Sequence, residues 1–78
     1  MKAQRIPVTT AAELSTFDPE EIAEGYRAGF DGDKEPGDNR SKAFWHGWRN
    51  GRTDRGLAPV DAAQRALARS VSADADKT

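Results

Sequence analysis

The sequence predicts an all-α fold: a small antiparallel two-helix hairpin packed through glycine and aromatic residues, then a C-terminal helix, with flexible ends. Three observations predict it. The segment Gly25-Tyr26-Arg27-Ala28-Gly29 is echoed 22 residues later by Gly47-Trp48-Arg49-Asn50-Gly51, and both lie in stretches with helical spacing. Glycine costs a helix about 1 kcal/mol relative to alanine, so two per helix need a return, and close approach of two helices supplies one. The link at 33–38 is short, which favours antiparallel neighbours. In that arrangement each glycine strip receives a ring from the other helix. Tyr26 packs over Gly47 and Gly51, and Trp48 over Gly25 and Gly29, with approximate two-fold symmetry.

Taken in order, residues 1–16 read as a flexible extension, with Thr10 and Glu13 placed to cap one helical turn and Ile6, Val8 or Leu14 available for docking. Residues 17–56 form the hairpin. Asp18 caps the first helix, Pro19 suits its first turn, and Phe17 with Ile22 has staple spacing. Ile22, Tyr26, Gly29 and Phe30 share one face, and Gly32 stops the helix. Pro36-Gly37 suits a type II turn, with Gly37 at the position that needs positive φ. The second helix starts near 39–41, has Phe44, Trp45, Trp48, Gly51 and Arg52 on its inner side, and ends at Gly56. Trp48 reads as core, whereas Trp45 reads either as core or as a stacking platform. Pro59 opens a third helix over 57–71 with Val60, Ala63, Leu67 and Val71 at helical spacing, and 72–78 reads as a disordered tail.

At 78 residues, 36% hydrophobic and 32% charged, the chain suits one small domain whose core is a few densely packed aromatics. It has no cysteine to staple it, no leader-like or membrane-spanning apolar run, and is expected to be cytoplasmic. The net charge of −1 hides a strong asymmetry. Nine acids against two bases give residues 10–38 a charge of −7, and five bases against one acid give residues 39–56 a charge of +4.

One histidine without cysteine partners argues against a metal site, Ser41 and His46 sit on different faces of one helix, and no phosphate loop is present. Neither a cofactor nor an enzymatic activity is expected. What remains is a basic helix. Arg40, Lys42, Arg49, Arg52 and Arg55 suit phosphates, and Trp45 and His46 suit stacking on unpaired bases, which points to RNA rather than duplex DNA. Gly25, Tyr26, Gly29, Phe30, Phe44, Gly47, Trp48 and Gly51 are the packing residues.

Gly25-Tyr26-x-Ala28-Gly29, then Gly32, Asn39-Arg40-Ser41 and Trp45-x-Gly47-Trp48-Arg49, resemble the ribosome modulation factor family over about 24–54. These are small bacterial proteins that bind ribosomes and promote an inactive, hibernating state. The resemblance implies a short two-helix domain, and a partner in the small ribosomal subunit near the ribosomal RNA end that pairs with messenger RNA. Family members are strongly basic and this chain is slightly acidic, so weaker or more salt-sensitive ribosome binding is expected. The alternative is a protein-binding regulator or inhibitor, of phage or plasmid type, that uses the same hairpin on a host protein complex. Either reading is compatible with a homodimer.

Overall fold

Every helix start in the chain is written in its capping residues. In the computed structural model, which describes residues 6–76, Thr10 caps α1 (Ala11–Leu14) by accepting from the Glu13 amide. Asp18 caps α2 (Pro19–Phe30) through the Glu20 amide, with Pro19 in the first turn. Ser41 caps α3 (Lys42–Arg55) through the Phe44 amide, and Gly56 at φ 85° closes it in the left-handed conformation that favours glycine. Asp61 and Gln64 exchange hydrogen bonds, each accepting from the other's backbone amide, at the head of α4 (Ala62–Asp76). The described residues contain no strand, so the fold is all-helical, with α2 and α3 packed closely together and a C-terminal helix beside them.

The four predicted glycines form the interlock, but what fills their strips is backbone. A Cβ on Gly25 would stand 2.7 Å from the Phe44 carbonyl carbon, and one on Gly29 would stand 2.8 Å from that of Trp48. Reciprocally, a Cβ on Gly47 would stand 2.9 Å from the Ile22 carbonyl carbon, and one on Gly51 would stand 3.0 Å from that of Tyr26. Adding 22 to Gly25 and Ile22 gives Gly47 and Phe44, so the two contact sets exchange under one two-fold relation. The expected rings over glycines are therefore replaced by carbonyls over glycines, because a backbone fits a side-chain-free strip more closely than an indole does.

The same contacts correct the expected direction. Residue numbers rise together along both helices: Gly25 meets Phe44 and Gly29 meets Trp48, while Ile22 meets Gly47 and Tyr26 meets Gly51. Phe17, just ahead of α2, packs its ring 5.9 Å from that of His46 near the start of α3. At the other end the Arg55 guanidinium donates to the Phe30 carbonyl at 2.8 Å, and the Leu57 side chain approaches Gly32. The helices run in the same sense rather than as an antiparallel hairpin. Residues 31–41 make this possible, since eleven residues reach about 36 Å against the roughly 18 Å rise of a 12-residue helix. This return segment travels back along α3, where the Trp48 indole donates to the Asp33 carbonyl at 2.9 Å and the Trp45 indole to the Glu35 carboxylate at 3.0 Å.

Parallel helices align their macrodipoles, and the charges here answer that. Asp18, Glu20 and Glu21 lie at the start of α2, while Arg52 and Arg55 occupy the last turn of α3. Arg55 bonds a carbonyl at the end of α2, a contact available only because the two C-terminal ends lie together.

Half of α3 is buried (Ala43, Phe44, Trp45, His46, Gly47, Trp48 and Gly51), so it is the central element rather than one side of a hairpin. Phe30, expected in the core, is exposed and stacks on Tyr26 with centroids 6.1 Å apart. Val8 is buried and the Ala11 amide donates to Ser70 Oγ at 2.9 Å, so residues 8–14 form a strap docked on α4 rather than a loose extension. α4 starts at Ala62, after the Asp61 cap rather than at Pro59, and its alanine-rich sequence carries it through 72–76, which were expected to be disordered. Residues 1–5 and 77–78 of the expected ends lie outside the described residues. Gly37 lacks the positive φ of the expected type II turn; it opens a turn in which the Arg40 amide donates to its carbonyl.

Candidate nucleic-acid interface

The arginines of this region are laid on rings at helical spacing. Arg40 lies over the Phe44 ring at 4.6 Å, Arg49 over Trp45 at 5.0 Å and Arg52 over Trp48 at 5.0 Å, each pair four residues apart. Arg55 lies over Phe30 of α2 at 5.0 Å. Stacking of this kind contributes about 0.5–1 kcal/mol at accessible sites.

Two expected base platforms are occupied by the fold. Trp45 is buried, with its indole N–H on Glu35 and one ring face under Arg49, so it is core. His46 is buried between Phe17 and Asn50, whose side-chain amide lies 3.2 Å from Nε2. Burial first, and then the Arg49 charge, hold its pKa below the ordinary 6.5, so His46 is neutral at pH 7 and adds no positive charge. Both residues leave the RNA-contact set because the enclosure of α3 by Phe17 and the return segment was not written in the periodicity of α3 itself.

The structure brings together Arg49 and Arg52, which line one recess with Trp48, Pro59, Asp61 and Gln64. Arg40 belongs to a separate groove with Pro36, Asn39 and Phe44, Arg55 sits at the Phe30 edge, and Lys42 is exposed at the first residue of α3. The seven predicted residues are therefore not one face.

Sequence reasoning missed the acid in this recess. Asp61 forms an ion pair with Arg49. Its carboxyl is held below the usual range chiefly by the Gln64 amide, with Arg49 adding to the effect. Gln64 extends the network: its side-chain amide donates to Asn50 Oδ1 at 3.2 Å and to Thr53 Oγ1 at 3.0 Å. The Asp61-x-x-Gln64 capping pattern was the available signal, hidden by the more conspicuous Pro59.

Among the described residues no group of His, Cys, Asp and Glu is arranged to hold a metal ion, and no helix is long and apolar enough to cross a membrane. No family model, curated protein or solved structure matches the chain.

Proposed function

We propose that this protein is a ribosome-associated translation modulator that contacts ribosomal RNA of the small subunit through Arg49 and Arg52 and promotes an inactive ribosome. The observation that carries the reading is the convergence of these two guanidinium groups on one recess, each stacked on a tryptophan. Stacked, pre-placed arginines lose little further freedom on meeting a phosphate. The resemblance to ribosome modulation factor supplies the partner. Three of its glycines, Gly25, Gly29 and Gly47, stand among the four positions where α2 and α3 touch backbone to backbone, so they account for the scaffold, and its Arg49 lies at the recess.

The test is sedimentation of stationary-phase lysate through a gradient at low and high salt. The wild type is expected to travel with ribosomes at low salt and leave them as salt rises. The Arg49→Glu, Arg52→Glu double variant is expected to stay at the top of the gradient at every salt. Unchanged co-sedimentation of that variant would remove the site.

A second reading has its own observation. The outer side of α2 carries exposed Glu20, Glu24 and Arg27, beside an open groove lined by Tyr26, Arg27, Phe30 and Asp31. That surface suits a basic protein partner. A pull-down that yields one protein complex without ribosomal RNA would favour it.

A further inference from the structure

The head of α4 borders the arginine recess, through Gln64 and through Asp61 just ahead of the helix. No Cα of α4 comes within 8 Å of a Cα of α3 among the described residues. The two helices are joined by side chains: Gln64 to Asn50, Gln64 to Thr53, and Asp61 to Arg49. The other side of α4 is tied to the strap through Ser70 and the Ala11 amide. α4 also buries Leu67, so these polar ties are only part of what holds it; they are sensitive to anions, whereas the glycine interlock of α2 and α3 is not.

The Asp61 carboxylate sits on the guanidinium whose neighbour in the recess, Arg52, meets no carboxylate among the described residues. Arg49 is 14% exposed at its side chain and Asp61 48%, so the acid is the outward member of the pair. A carboxylate and a phosphate present the same planar pair of acceptor oxygens to a guanidinium, and a phosphate can span two of them.

We propose that Asp61 holds the place of a backbone phosphate on Arg49, and that α4 is a removable cover over a phosphate subsite made by Arg49 and Arg52. The identity of the ligand as RNA rests on the function proposed above; the subsite and its cover do not. The cover makes binding a competition within the chain. A phosphate that spans Arg49 and Arg52 displaces Asp61 and so loosens α4, and a strand offering several phosphates does the same with further contacts to offset the cost.

Asp61→Asn separates the charge from the cap, because asparagine caps a helix about as well as aspartate. Inorganic phosphate is titrated into wild type and variant while the side-chain Nε–H resonances of Arg49 and Arg52 are followed by nuclear magnetic resonance. Both resonances are expected to shift, with a midpoint roughly two- to five-fold lower in the variant, the span of an accessible ion pair. In the wild type, phosphate is also expected to speed hydrogen exchange of the α4 amides. Unshifted arginines, equal midpoints or unchanged α4 exchange would each overturn the proposal.

A parallel arm measures anisotropy of a labelled single-stranded RNA across a potassium chloride series. The variant is expected to bind more tightly, with a salt slope steeper by about 0.7, one phosphate's share. RNA that binds neither protein, while phosphate behaves as described, would sink the RNA reading and leave the subsite standing.

Discussion

Replacing Gly29 by alanine sets two physical effects of opposite sign against each other. Helix propensity alone favours the change by about 1 kcal/mol. The structure opposes it, because the new Cβ would stand 2.8 Å from the Trp48 carbonyl carbon and nearer still to its oxygen. Ordinary contact begins at 3.4 Å, so α2 and α3 must part by at least 0.6 Å, and by more to clear the oxygen. A gap of 0.5–1 Å forfeits about a quarter to a half of the dispersion energy of the atoms facing it. The obstacle is backbone fixed by helical hydrogen bonds, so the strain falls at or above the usual 1–3 kcal/mol of overpacking. The net expectation is a loss of about 2–3 kcal/mol, against a total stability of roughly 4–12 kcal/mol for a chain of this size. Urea denaturation followed by Trp45 and Trp48 fluorescence reads this as a midpoint lower by about 2 M, with slope unchanged. Gly37→Ala is the control, since that glycine has no positive φ and its Cβ would meet the Asn39 side chain at 3.2 Å; its midpoint should barely move. A Gly29→Ala midpoint at or above wild type would refute the carbonyl-in-groove packing, because only the propensity term would then be operating.

The remaining predictions concern titration. His46 is neutral when folded, with its pKa below 6.5, so the unfolded chain takes up the extra proton as pH falls. Stability should be fully present above pH 6.5 and decline below it toward the folded pKa, and His46→Phe should flatten that decline in urea midpoints measured across the window. The Tyr26 hydroxyl donates to Asp54 at 2.6 Å, and this bond above all holds its pKa above 10. Asp54→Asn should move the phenol titration, followed by ultraviolet difference absorbance, back toward 10.

Local chemistry made the helix ends legible. Asp18-Pro19, Gly32 and Gly56 each act through their own neighbours and stand where the residues placed them, and Ser41 is the cap among the residues near 39–41 where the start was expected. The glycine strips were legible too, because a side-chain-free face has few other uses. The direction of α3 was not. It depends on where residues 31–41 go, and their route is fixed by Asp33 and Glu35 accepting from the two indoles, contacts 15 and 10 residues apart in sequence. For the same reason the periodicity of α3 left Trp45 open between core and platform and offered His46 for stacking, although they are covered from Glu35 and Phe17. At the recess, Arg49 and Arg52 were visible as charges, while Asp61 was invisible as their neighbour because the link from α3 to α4 follows no periodic rule.

The parallel pairing also decides how the opposite charges of α2 and α3 are used. An acidic helix beside a basic one would ordinarily be expected to cancel through cross-helix ion pairs. Here the two helices meet glycine against carbonyl at Gly25, Gly29, Gly47 and Gly51. Among the described residues no carboxylate of α2 pairs with an arginine of α3; the pair that Arg49 makes is with Asp61, outside the interlock. Glu20 and Glu24 therefore stay on the outer side of α2, and the cations of α3 leave along the faces of Trp45 and Trp48. The result is a chain of net charge −1 in which Glu20 and Glu24 of α2 form no ion pair with Arg49 or Arg52 of α3. On the function proposed above, a polyanion would repel the acidic outer side of α2 while drawing in the arginine recess. On that same reading, a slightly acidic composition lowers affinity for a polyanion, and the acid that matters most at the recess is Asp61, just ahead of α4.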